Sequence, residues 1–259
     1  MKSSIEHKKS IQESEKGQKQ IEANVNKGTV SRPKSKPRGV MRARDEQKVG
    51  SVENAQISIR QALPSDAEFA SKLLFAALPH FTQYGIGMGK EERAKQILYK
   101  LFLQPRHRYS FEQVKIIEFC EKKAGLALIL PGKTLKQLNS RFFRKLIASY
   151  PLKLKLKLIH RFLPFFFLNE GGRDDFVLNS LIVLHKYQNQ AIGERLVKSL
   201  EKQARAEGYK RATTVIEFQN SQMRKFFEEQ RYKVKNLVLE SNKRVVLFGA
   251  GYQQLEKNL

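Results

Sequence analysis

The chain has 259 residues, with 49 Lys and Arg against 25 Asp and Glu, a formal charge of +24 and a pI near 10.1. That length allows one domain of ordinary size plus extra material, and the charge favours an anionic partner: nucleic acid, an acidic membrane leaflet or a polyanionic cofactor. A single cysteine excludes an intramolecular disulfide framework. No two of the five histidines stand four residues apart, so no metal site is expected. With no run near the ~20 apolar residues of a membrane span and no apolar leader, the expected location is cytoplasmic.

Residues 1–52 hold no aromatic residue and are rich in Lys, Gln, Glu, Ser and Asn. Such a segment buries too little apolar area to offset its chain entropy, so a disordered basic tail is expected. Its middle, Arg32-Pro-Lys-Ser-Lys-Pro-Arg38, reads as solvated, with contact to nucleic acid or membrane as the other reading. The folded domain is placed at 53–252. It opens on an alternating strand, Ala55–Ala62, and a helix started by Leu63-Pro-Ser-Asp66 and carrying Phe69, Leu73, Leu74 and Ala77. Gly85-Ile-Gly-Met-Gly-Lys90 is not a P-loop. Tyr84 stands at the first glycine position and Glu91 where Ser or Thr should hold magnesium, so it reads as a flexible connection between helices. A helix over Glu91–Leu103 follows, then a hairpin of Val114–Cys120 and Ala124–Leu130 across Glu121-Lys-Lys123, with Cys120 read as a buried strand residue.

Between Glu121 and Glu170 there is no acid and there are eleven Lys or Arg. Within the segment 131–169, Thr134 and Gln137 match a capping box, and Leu135, Leu138, Phe142 and Leu146 share a helical face. Pro151 suits the first turn of a second helix over 152–163. The Leu-Lys alternation there also fits a strand, but neither residue is β-branched, which favours helix. Its apolar face is read as Leu152, Leu156, Leu158, Ile159, Phe162 and Leu163. This basic segment is either a helical insertion packed on the sheet and walling an acceptor cleft, or an amphipathic pair on an anionic membrane or acidic partner.

Phe176–Val183 reads as a strand buried on both faces. His185-Lys-Tyr-Gln-Asn-Gln-Ala-Ile-Gly193 then runs into a helix with Ile192, Leu196, Leu200 and Ala204 on one face and Gly208 at its left-handed end. Arg211–Ile216 is the next strand, and Asn220 opens a second helix. Two more strands, Lys233–Glu240 and Arg244–Gly249, complete a mixed sheet of about seven strands, leaving 253–259 as a frayed tail. A strand feeding a turn into a helix presents unpaired N–H groups, and the helix dipole favours an anion there. The local physics therefore points to a phosphate-bearing ligand.

Gln188-x-x-Ala191-x-Gly193 resembles the acetyl-CoA loop [RQ]-x-x-G-x-[GA] of the GNAT superfamily of N-acetyltransferases. Leu178-x-x-Leu181-x-Val183 before it and Asn220-x-x-Met223-x-x-Phe226-Phe227-x-x-x-Arg231-Tyr232 after it extend the resemblance over about 176–235, and the opening strand, Pro-x-Asp and helix agree with it. The resemblance implies an α/β (α+β) GNAT fold. Its sheet would be mixed and mostly antiparallel, with about seven strands splayed at the fourth and fifth, helices on both faces and a basic helical insertion before the fourth strand.

The function implied is transfer of acetyl from acetyl-CoA to an amine by direct attack, without a metal. Leu181, Ile182 and Val183 would pair with the pantetheine arm, and Gln188, Asn189, Gln190, Ala191, Ile192 and Gly193 would hold the pyrophosphate. Asn220 would bond to the arm or fix the loop, and Lys186, Arg195 and Lys225 are candidates for the adenosine phosphate. Ala191 replaces the first glycine, which a helical φ/ψ would accommodate. Asn179-Ser180 stand where the family often has Glu or Asp, and Phe227 where it often has a Tyr acid. Glu217 is then the best remaining base, with Tyr232 or Tyr187 as acid. The alternative is a GNAT-folded module with weak turnover that binds an anionic membrane or nucleic acid. The basic insertion implies an acceptor amine that carries an anionic group, a small molecule or an acidic peptide.

Overall fold

The computed structural model describes residues 57–162, 170–239 and 251–259. The strand read at 244–249, Leu163 of the second insertion helix and the tail read at 1–52 lie outside these residues. Strand β1 (Ile57–Gln61) leads through a 3-10 turn, Pro64–Asp66, into α1 (Ala67–Ala77). Asp66 sets this entry: its carboxylate accepts the Leu63 N–H at 2.9 Å and pairs with Arg60 and Lys123. Burial opposes its ionisation, but the Arg60, Leu63 and Lys123 hydrogen bonds outweigh it and hold the carboxyl well below the usual carboxylate range.

The glycine-rich connection is only partly a loop. Phe81–Ile86 forms a π-helical turn, and the chain reverses through Met88 and Gly89 at positive φ before α2 (Glu91–Phe102). Strands β2 (Val114–Phe119) and β3 (Lys122–Pro131) make the expected hairpin, but its turn is tighter than read. Cys120 and Glu121 both take φ > 0, and Cys120 is exposed at the turn instead of buried in a strand. Two left-handed residues match the twist of a hairpin, a demand that composition did not advertise here.

The insertion is a helix pair, α3 (Leu135–Ala148) and α4 (Leu152–Phe162). The capping box is absent: Thr134 Oγ1 donates to Pro131 O instead. Leu135, Leu138, Phe142 and Leu146 are buried as read. The face of α4 is corrected. Leu158 and Phe162 are buried and Leu154 packs against the core, whereas Leu152 and Leu156 stand 82% and 78% exposed. Leu-Lys alternation gives this helix two apolar stripes, and Phe162 selects the inner one by packing edge-on against Phe81, Phe142 and Phe143. Tyr150 OH donates to Ile86 O, and Arg161 donates to Tyr84 O at 2.9 Å, so the pair is pinned to the π-helical turn.

β4 (Asp175–Val183), α5 (Ile192–Ala206), β5 (Arg211–Glu217), α6 (Ser221–Glu229) and β6 (Lys233–Leu239) follow the sequence reading. The last strand does not. Residues expected to fray form β7 (Gly251–Asn258), paired with β5 on one side and β6 on the other. The sheet order is β1-β2-β3-β4-β5-β7-β6, antiparallel except for β4 with β5. One apolar cluster, with α1 to α4, covers one face, and a second, with α5 and α6, covers the other.

Candidate active site

Two irregularities on β4 build the site. Against β3, Leu128 faces Ser180 while Ile129 faces Leu178, so Asn179 is an extra residue in a bulge. A bulge bends its strand and raises the local twist. Against β5, pairing is confined to Asp175–Val177 with Arg211–Thr213. Beyond that point the two strands run on to Val183 and Glu217 with no ladder between them, leaving β4 backbone groups facing a gap. A cavity of about 230 Å3 fills it, lined by Asn179 to Val183, Thr214 to Glu217, Asn220 and Phe227. A second cavity of about 280 Å3 shares Leu181, Val183, Gln188, Gln222 and Met223 with the first and reaches Ala191, Gly193 and Phe226. The two form one groove from the gap to the start of α5.

The turn at its far end is a 3-10 segment, His185–Gln190, in which Gln188 Nε2 donates to Val183 O at 3.2 Å. The helical φ/ψ expected at Ala191 is not what it adopts. Ala191 sits at φ 50, ψ 19, in the left-handed region, where an L-residue costs roughly 1–2 kcal/mol. The reversal starts α5 abruptly, and the N–H groups of its first turn, from Ile192 to Glu194, have no intrahelical acceptor. Ile192 itself is wholly buried under the helix, so only its backbone reaches this end. Gly193 abuts α6: a Cβ there would lie 3.3 Å from Phe226 Cε2. Asn220 caps α6, its Oδ1 accepting the Met223 N–H at 3.0 Å, and also lines the gap. Lys186, Arg195 and Lys225 are exposed and line neither cavity.

Residues 161–231 match the model of the acetyltransferase (GNAT) family. That segment of the chain is similar to a GNAT acetyltransferase domain. The fold agrees. An N-acetyltransferase from Staphylococcus aureus Mu50 superposes with a TM-score of 0.59 at 15% identity, over 77% of this chain and all of that one. Another solved acetyltransferase gives 0.55 at 19% identity, over 78% of this chain and 98% of the other. None of the curated proteins compared matches the chain.

At the open end of β5 in this GNAT-like fold, Glu217 lines the gap with a side chain 12% exposed. Sequence reasoning missed its partner. The His80 N–H donates to Glu217 Oε1 at 3.2 Å, and His80 Nδ1 lies 2.9 Å from Oε2. The two residues are 137 positions apart, and only the packing of α1 against the sheet brings them together. Tyr232 is not brought to the gap. It is buried against Phe227 in the α5–α6 core, where burial, then the nearby Glu201 carboxylate, push its phenol above the ordinary tyrosine range. Tyr187 packs on Phe119 and lines neither cavity of the groove. No group of metal-binding side chains occurs among the described residues.

At the position where the fourth strand lacks an acid, a carboxylate arrives from elsewhere. Asn179 Nδ2 donates to Glu170 Oε1 at 2.9 Å, and Glu170 is held bidentate by Arg108 at 2.6 and 2.9 Å. This buried pair ties the bulge to the segment after α2 and forms part of the wall of a third cavity, of about 470 Å3. Val215 lines both this cavity and the gap, so the two adjoin at β5.

Proposed function

We propose that this acetyltransferase takes acetyl-CoA along the groove from the β4–β5 gap to the start of α5, and an amine from the side of Val215. The observation that carries the reading is the continuity of that groove. It offers an unpaired strand edge for an amide-bearing arm, helix N–H groups for phosphates, and no side chain at 193 to obstruct the approach. The amine, freed of its extra proton, attacks the thioester carbonyl. A C–N bond forms, the C–S bond breaks, and the thiolate leaves to be protonated as CoA thiol. In this reading Glu217 accepts the ammonium proton, directly or through water, and His80 orients it, which their two hydrogen bonds support. Leu181 to Val183, Gln188 to Gly193 and Asn220 are the residues assigned to the cosubstrate. The test is calorimetry with CoA and acetyl-CoA: micromolar binding is expected, and no binding at millimolar concentration would overturn the reading.

The acceptor is read as an amine that carries an anionic group, because Lys136 and Arg144 line the cavity adjoining the gap. One observation favours a second contact, with an anionic membrane surface. Leu152, Leu156 and Ile159 form an exposed stripe on α4, at helical spacing and beside Lys153, Lys157 and His160. Co-sedimentation should recover the protein with vesicles containing phosphatidylserine, and Leu152→Gln with Leu156→Gln should release it. Equal recovery by the double variant would reject the membrane reading of this face.

A further inference from the structure

The third cavity indicates what kind of amine the site takes. It is the largest of the three, and its volume falls within the range of small-ligand sites, about 300–1,000 Å3. Its wall is mostly carbon: Leu78, Phe81, Phe142, Phe143, Ile147 and Phe162, contributed by the segment after α1 and by both insertion helices. Against this surface a flexible polycation would shed the water from several ammonium groups and gain little in return. The cavity also holds a polar anchor. Arg108 is only 7% exposed and gives two of its nitrogens to Glu170 and Asn139, and among the described residues its Nε has no hydrogen-bond partner. The anchor pair is neutral overall, while the exposed Lys136 and Arg144 at the rim are not.

We propose that the acceptor is an amphipathic amine: an aromatic or branched apolar body filling the cavity, a carboxylate or carbonyl oxygen received by the cationic rim of Lys136 and Arg144, and an amine directed past Val215 into the gap. This rests on the acetyl-transfer reading, from which its test is kept separate. Ser140 lines the cavity from the exposed side of α3, so Ser140→Trp fills the space without touching the core or the groove.

N-acetylphenylalanine, a product mimic, is titrated by calorimetry into the full chain and into Ser140→Trp, beside N-acetylspermidine and N-acetylaspartate. Thiol release is then followed with phenylalanine, phenylethylamine, spermidine and aspartate as acceptors. N-acetylphenylalanine is expected to bind at least tenfold tighter than the two polar compounds and to lose that advantage in the tryptophan variant. Apolar acceptors should be turned over fastest, and phenylalanine ahead of phenylethylamine. Ser140→Trp should raise the acceptor KM at least tenfold with acetyl-CoA affinity unchanged. Equal or tighter binding of N-acetylspermidine or N-acetylaspartate, or no effect of the tryptophan, would overturn the inference even with acetyl-CoA bound normally. Failure of acetyl-CoA to bind would instead strike the reading beneath it, and the product titration would still report on the cavity.

Discussion

Gly193→Leu is expected to lower acetyl-CoA affinity at least a hundredfold by calorimetry, with only a small drop in melting temperature. A Cβ at this position already meets the Phe226 ring at 3.3 Å, so a branched side chain must turn into the groove, over the N–H groups that open α5. Gly193→Ala asks the ring to yield by a few tenths of an ångström and should fall between leucine and wild type. Ala191→Gly is the opposite case. It relieves a left-handed alanine, and should raise stability by about 1 kcal/mol while holding or improving affinity. Wild-type affinity in Gly193→Leu would remove the start of α5 from the cosubstrate site.

Glu217→Gln is expected to cut kcat by about 10²–10⁴ near neutral pH, the range assigned to a positioned base, and to leave the KM for acetyl-CoA unchanged. Glutamine keeps the shape, its oxygen accepting the His80 backbone N–H and its amide donating to His80 Nδ1, so the loss reads proton acceptance and not folding. His80→Ala should lose less kcat, because the carboxylate remains and only its orientation is released. His80→Gln, which retains a donor, should recover part of that loss. A Glu217→Gln enzyme with wild-type kcat across the pH range would assign the proton to solvent.

The elements from β4 to α6 were legible because their apolar residues recur at strand and helix periods and because Gly208 and Asn220 mark ends that backbone geometry requires. Four things escaped, each for a different reason. β7 was hidden by its polarity: Tyr252, Gln253 and Gln254 are buried between β5 and β6, and a strand held mainly by ladder hydrogen bonds need not alternate. The inner face of α4 was undecided because Leu at every second position supplies two stripes, and partner aromatics chose between them. The site was legible where the chain is contiguous, from Leu181 to Gly193. Where it joins distant segments, as His80 with Glu217 or Arg108 with Glu170, no local pattern announces the pairing. Ala191 misled because its residue type argues against the conformation that the turn imposes.

The position of β7 has a consequence for how the protein acquires its shape. The ladder that covers the free edge of β5 joins Glu217 to Tyr252 and Arg211 to Asn258, residues 35 and 47 apart in the chain. The β6–β7 pair and the α5 and α6 segments are local by comparison, so loop-closure entropy places the β5–β7 ladder after them in folding. Until it zips, Val215 and Glu217 lie on an unsupported strand and Tyr252 is not yet in place at the cavity. Binding competence is therefore tied to a contact that closes after its local neighbours have formed. A nascent or partly opened molecule with β6 to β7 undocked would keep most of its helices and have no site.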